Sequence, residues 1–186
     1  MRIFITDQSR QPDWRMIISH MNQADKVIIR DYAHPNRPEL AAEIADHCQK
    51  NRIKCAVAGD WRLAWALKTG LHWPSNMARG RSIPIRPRQF QTMAVHNTAE
   101  LARAIFHRVD YALISPIFET QTHAIANPIG PRGLYHLAAL AKANNIVPVA
   151  LGGVTLETAQ RLRPVLGRRP NLAAIDGIHK LSSLYF

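Results

Sequence analysis

Short runs of β-branched and aliphatic residues alternate along this chain with segments whose apolar positions recur every three or four residues. Arg2-Ile-Phe-Ile-Thr6 reads as a strand, and over 13–23 Trp14, Ile17, Ile18 and Met21 fall at i, i+3, i+4 and i+7, the spacing of one helix face. Lys26-Val-Ile-Ile-Arg30 follows, then a turn at His34-Pro35-Asn36-Arg37-Pro38 and a helix over 39–50 with Leu40, Ile44 and Cys48 on one side. A third unit joins Lys54-Cys-Ala-Val-Ala58 to a helix over 61–68 that Gly70 terminates. Trp61 and Trp65 stand four residues apart on that helix and are read as core. Gly70-Leu-His-Trp73 predicts a short fourth strand. The segment 74–89 carries three prolines and four arginines without helical period, so a loop is expected in place of a fourth helix. Order returns with Phe90-Gln-Thr-Met-Ala-Val95 and a helix over 98–108 capped by His96-Asn97-Thr98. Asp110-Tyr-Ala-Leu-Ile114, Ile146-Val-Pro-Val-Ala-Leu151 and Leu172-Ala-Ala-Ile175 are the remaining strands, with helices expected over 133–144 and 156–166. A long segment, 119–132, precedes the first of these two helices, and loops of that length are often functional.

Eight strands interleaved with helices imply parallel pairing through right-handed crossovers, and eight repeats allow closure. The expected fold is α/β, a compact (β/α)8 TIM barrel with shortened fourth and eighth helices, forming one domain over 1–186. An open doubly wound sheet is the alternative; against it, the turn after the first strand, Thr6-Asp7-Gln8-Ser9, lacks the G-x-G-x-x-G phosphate fingerprint.

Composition narrows the class. With 47% hydrophobic and 20% charged residues, the chain is neither disordered, collagen-like nor a coiled coil. Its formal charge of +11 attracts anions without naming one. Two cysteines, Cys48 and Cys55, are too few for a disulfide framework and are not spaced as a CxxC, which suggests a reducing compartment. No apolar run approaches the roughly 18 residues of a membrane span, and the N-terminal stretch lacks the apolar region of a signal peptide. A soluble, cytoplasmic protein with no membrane partner is expected.

The most informative local signal is Val149-Ala-Leu-Gly152-Gly153-Val154, because consecutive glycines leave backbone N–H groups open to a phosphate after the seventh strand of a barrel. A plain strand-to-helix turn accounts for the same pair. Asp110-Tyr-Ala-Leu-Ile-Ser115-Pro-Ile-Phe-Glu119-Thr120 upstream, together with this Gly-Gly, resembles the thiamine-phosphate synthase and thiazole tautomerase superfamily. There the sixth strand ends in Asp-Tyr-x-x-x-Gly-x-x-Phe-x-Thr and the seventh in Pro-Val-x-Ala-x-Gly-Gly. The likeness extends along the chain: Ile5-Thr6-Asp7 is similar to the family's Val-Thr-Asp, Val27-Ile-Ile-Arg30-Asp31 to its Gln-Leu-Arg-Glu, and Ala174-Ile-Asp176-Gly177-Ile178 to its eighth-strand phosphate turn. Gly70-Leu-His72-Trp-Pro-Ser75 and Val95-His96 correspond to the ends of its fourth and fifth strands, and Pro74-Ser75 with Phe118-Glu119-Thr120 lean toward the tautomerase-like branch.

The resemblance implies a barrel binding a phosphorylated thiazole-type ligand in thiamine biosynthesis, as a transferase or an isomerase. Gly152, Gly153, Asp176 and Gly177 would receive the phosphate, with Thr120 and His72 beside them; Arg30 and His123 would supply charge, and Ser115 and His96 would line the catalytic side. Departures limit the transfer. The synthase reaction joins a pyrimidine pyrophosphate to a thiazole phosphate and expels pyrophosphate, which calls for Mg²⁺ and cationic groups. The family's metal carboxylates, at the end of strand three and after strand four, correspond here to Ala58-Gly59 and Ser75-Asn76-Met77, with Asp60 displaced by one. Its strand-two Lys corresponds to Tyr32, its strand-six loop Lys to His123, and the tautomerase His to Ser115. Mg²⁺ is therefore a possible cofactor whose usual ligands are missing, and no other metal motif such as HExxH is present.

Each candidate has a plainer reading. Arg30 would also suit a surface ion pair with Asp31, and His72, His96 and His123 taken singly are more often structural histidines. Glu119 is either a substrate contact or a solvated carboxylate. Arg79, Arg81, Arg86 and Arg88 form a basic loop able to steer phosphorylated substrates; nucleic-acid binding through it lacks an accompanying aromatic ladder. A non-catalytic phosphate-ligand or regulatory barrel remains the main alternative to an enzyme, and homo-oligomerisation is open.

Overall fold

The computed structural model describes residues 1–77, 89–119, 127–168 and 170–174. Eight strands, β1 (Arg2–Ile5), β2 (Lys26–Ile29), β3 (Lys54–Ala58), β4 (Gly70–Trp73), β5 (Gln91–Val95), β6 (Tyr111–Ile114), β7 (Val147–Ala150) and β8 (Leu172–Ala174), pair in parallel with their sequence neighbours. β8 returns to β1 through Arg2↔Leu172, Ile3↔Ala173 and Phe4↔Ala174, which closes the barrel. The eight expected strands are present to within a residue or two.

Strand alternation sorts the side chains between two cores. Ile3, Ile5, Ile28, Ala58, Leu113, Val149 and Ala173 fill the barrel interior. Phe4, Val27, Ile29, Val57, Leu71, Met93 and Ile114 point outward, where they meet Trp14, Ile18, Leu40, Ile44, Leu101 and Leu137 from the helices. Both faces of the sheet are thus largely apolar, as parallel sheets require, with His72 and Thr92 as polar positions facing inward.

The helices are α1 (Trp14–Ser19), α2 (Arg37–Lys50), α3 (Trp61–Ala66), α4 (Thr98–Phe106), α5 (Gly130–Ala143), α6 (Leu156–Gln160) and α7 (Arg163–Leu166). The helix expected over 156–166 is two pieces. Pro164 has no N–H to donate and its ring meets the carbonyl four residues back, so the helix stops and restarts with Pro164 in its first turn. α2 begins earlier than expected, because Pro38 fits a first helical turn as well as it fits a loop. Asn97 caps α4 by accepting from the Glu100 N–H at 2.9 Å. Trp65 departs from its expected core placement: it is exposed, while Trp61 is partly buried against the core. α3 is too short to bury both rings of the pair. The stretch expected to replace a fourth helix lies largely in 78–88, and any eighth helix in 175–186, both outside the described residues. Among the described residues no helix is long and apolar enough to cross a membrane.

Candidate functional site

All eight strands run toward one rim, and the last inward-facing position of each decides what the mouth contains. Two residues beyond inward-facing Ile28 stands Arg30, and β4 turns His72 inward beside it. The Arg30 guanidinium donates to the Asp7 carboxylate at 2.7 Å, both groups partly exposed. Asp31 is engaged otherwise: its carboxylate accepts from the Thr6 hydroxyl and from the Gln8 N–H at 2.6 Å. Neighbours on a strand end face opposite sides, so the pairing of Arg30 with Asp31 gives way to a cross-loop pair with Asp7. Burial works to raise the Asp7 carboxyl, but the Ser9 hydroxyl and Arg30 hold it below its ordinary value.

His72 is buried, and its Nδ1 lies 2.6 Å from the Thr92 hydroxyl on β5. Burial, reinforced by the Arg30 charge, pushes its pKa down to about 4, so the imidazole is neutral at pH 7. A group in that state exchanges hydrogen bonds with a ligand without adding charge. His96 is placed differently. It is exposed, and both its ring Nδ1 and its main-chain N–H meet the Glu100 carboxylate at 2.7 Å, which ties it to the first turn of α4.

Ser115 follows β6, buried, its N–H donating to the Val95 carbonyl at 3.0 Å, and a cis peptide joins it to Pro116. Gly152 and Gly153 adopt left-handed φ values of 92° and 64°. A β carbon would lie 2.8 Å from Pro116 Cα at the first and 2.7 Å from the Glu119 carbonyl and Phe118 Cβ at the second. The pair therefore seats the loop after β6, which docks through Ile117 N–H to Leu151 O at 3.0 Å and Phe118 N–H to Gly152 O at 3.1 Å. Among the described residues the N–H groups of Gly152, Gly153 and Val154 meet no acceptor. Thr120, His123, Asp176 and Gly177 lie outside the described residues, as does the arginine loop.

Beside β1 and β2 a cleft of about 580 Å³ opens, lined among others by Asp7, Ser9, Arg30, Tyr32 and His34. Sequence reading passed over Asp7 and Thr92 as site residues. A signal existed for Thr92, a polar residue sharing the inward parity of Ala94 within a strand that is apolar from Met93 to Val95. None existed for the pairing of Asp7 with Arg30, which depends on two loops meeting.

Residues 4–178 match the family model described as thiamine monophosphate synthase. The chain belongs to that family. A thiamine-phosphate synthase of Koribacter versatilis (strain Ellin345) is 33% identical over 81 residues, covering 44% of this chain and 37% of that protein. The match thus spans little more than a third of that relative's length. Among solved structures, thiamine phosphate pyrophosphorylase from Pyrococcus furiosus superposes with a TM-score of 0.73 at 19% identity, covering 93% of this chain and 84% of that one. An HpcH/HpaI aldolase from Desulfitobacterium hafniense DCB-2 gives 0.64 at 10% identity, over 98% and 89%. These likenesses show the barrel fold.

The residues present do not fit the hard cation that the thiamine monophosphate synthase resemblance implies. From 59 to 89 the chain has one carboxylate, Asp60, and its Oδ1 accepts from the Leu63 N–H at 3.0 Å as the N-cap of α3. Above Gly59 the space is filled: a β carbon there would lie 3.1 Å from the Met77 sulfur and 3.2 Å from Tyr32 Cε1. Among the described residues no group of three or more His, Cys, Asp or Glu side chains is arranged to hold a metal. Mg²⁺ prefers carboxylate and water oxygens in octahedral array, and this rim offers a thioether, a ring and prolyl carbons.

Proposed function

We propose that the mouth binds a phosphorylated thiazole-type ligand of thiamine biosynthesis, its phosphate received by the backbone at Gly152 and Gly153 with Asp176, Gly177 and Thr120 completing the cradle. The carrying observation is the run of N–H groups from Gly152 to Val154, at the end of β7, that meet no acceptor among the described residues. Family membership over 4–178 supports the ligand class. Arg30 and His123 supply charge, and His72, His96 and Ser115 line the mouth; neutral His72 and the Thr92 hydroxyl orient the uncharged ring.

Calorimetric titration with thiazole phosphate and with thiamine phosphate tests this, comparing wild type with Gly153→Ala and Gly153→Asp. Both variants carry the same backbone strain at a positive φ, so their difference reports the added carboxylate. Gly153→Asp should bind about a hundredfold or more weakly than Gly153→Ala, because like charges brought together at a binding surface cost several kcal/mol. Equal affinities in the two variants would dismiss the phosphate position.

A second reading, a barrel that binds the phosphorylated ligand without turning it over, is favoured by the single carboxylate between 59 and 89. Single-turnover reaction of a pyrimidine pyrophosphate with thiazole phosphate separates the two: product release of pyrophosphate supports a transferase, and tight binding without it supports the binder.

A further inference from the structure

We propose, on the footing of the phosphate reading above, that this barrel takes its anionic ligand without a divalent metal, the guanidinium of Arg37 standing as the resident cation at the end of β3. In a closed barrel of eight strands β3 lies across from β7, so the end of β3 that Arg37 reaches is on the rim opposite the double-glycine turn. Arg37 Nη2 donates to the Ala58 carbonyl at 2.5 Å, and its guanidinium carbon lies 5.2 Å from the centre of the Tyr32 ring. These two contacts fix a permanent positive charge on the last residue of β3. Its Nε is buried with no acceptor among the described residues.

The Nδ1 of His34, three residues upstream and on the wall of the cleft, is also buried without a partner among the described residues. Buried polar atoms left unpaired are rare in folded proteins, and two within one connection mark a place where a partner is missing. An oxyanion is that partner, since guanidinium presents several donors in one plane to carboxylate or phosphate oxygens. Three described carboxylates near this side of the rim are already engaged: Asp7 with Arg30, Asp31 with Thr6 and Gln8, Asp60 in the α3 cap. Met77, Tyr32 and Pro74 crowd Gly59, where the resemblance sets a ligand of the metal.

The test uses the full chain and two probes, inorganic phosphate and thiazole phosphate, titrated calorimetrically in EDTA and again in millimolar Mg²⁺. Wild type, Arg37→Gln and Arg37→Lys are compared, with circular dichroism to confirm folding and water-proton relaxation in Mn²⁺ as a separate reporter of metal. Wild-type affinities should agree within about twofold with and without Mg²⁺, with no relaxation enhancement. Arg37→Gln should weaken inorganic phosphate binding about tenfold or more, the usual weight of a hydrogen bond to a charged group, and Arg37→Lys should retain part of that affinity. A tenfold gain with Mg²⁺, an enhancement with Mn²⁺, or wild-type affinity for inorganic phosphate in Arg37→Gln overturns the inference. Inorganic phosphate bound equally by wild type and Arg37→Gln, with thiazole phosphate bound by both, would overturn it while leaving the phosphate reading intact. Loss of inorganic phosphate binding in Arg37→Gln, alongside no thiazole phosphate binding by any protein, would do the reverse.

Discussion

The two ends of the barrel hold charges of the same kinds and use them in opposite ways. At the end where the strands begin, Asp25 accepts from the Arg2 main chain at 2.7 Å and from its guanidinium at 3.0 and 2.5 Å, both residues at most 5% exposed. Lys26 lies beside them with its ammonium 5.5 Å from the Phe90 ring and 5.2 Å from the Tyr111 ring. Burial, with Lys54 adding to it, lowers the Lys26 pKa against the opposing pull of Asp25 and Asp110. At the mouth the equivalent pair, Arg30 with Asp7, is 30% and 21% exposed, and Arg37 and His34 keep buried polar atoms without partners among the described residues. The buried Arg2–Asp25 pair braces the outer face of the first strands, Arg2 sharing the outward parity of Phe4, while Lys26 takes the inward position below Ile28; at the mouth, a half-open pair beside orphaned donors leaves capacity for a ligand. Position along the strand, not residue type, separates structural charge from charge available for binding.

The largest way to break this comparison is at the end where the strands begin. Asp25→Ala should destabilise the fold by about 3–5 kcal/mol, because it leaves the Arg2 guanidinium buried without its counter-charge. Urea denaturation measures this, and a loss below about 1 kcal/mol, the range of an exposed pair, would erase the distinction between the two ends. Next in size is the pH dependence contributed by His72. Its folded pKa of about 4 lies below the ordinary 6.5, so the unfolded chain binds the proton more readily. The contribution is complete above pH 6.5 and is lost as pH falls toward 4, by up to about 3 kcal/mol. Denaturation profiles over that range should be flatter in His72→Asn than in wild type; parallel profiles would mean that the imidazole is not isolated from water. The smallest effect sharpens the account of the rim. Asp60→Ala should cost about 1 kcal/mol through the lost cap of α3 and leave ligand affinity in Mg²⁺ unchanged. An affinity that falls only when Mg²⁺ is present would make Asp60 a metal ligand after all.

Much of the architecture was legible in the chain because parallel strands buried on both faces must be continuously apolar, and their separation by amphipathic segments leaves few topologies. β4, four residues of Gly-Leu-His-Trp, was readable for that reason. Boundaries failed where local chemistry permits two answers, as at Pro38 and Pro164. Trp65 misled because i, i+4 spacing identifies a shared face without saying whether a short helix has enough neighbours to cover it.

For the site, the sequence by itself determined the family, the double glycine after β7 and the shortage of carboxylates between 59 and 89. These are properties of residue type and order. Only the tertiary structure decided that Asp7 and not Asp31 holds Arg30, that His72 is neutral while His96 is tied to Glu100, and that Arg37 reaches the end of β3. Those outcomes depend on which loops meet across the rim and on how far each side chain is removed from water, and neither distance nor desolvation is written in the order of residues along a single strand.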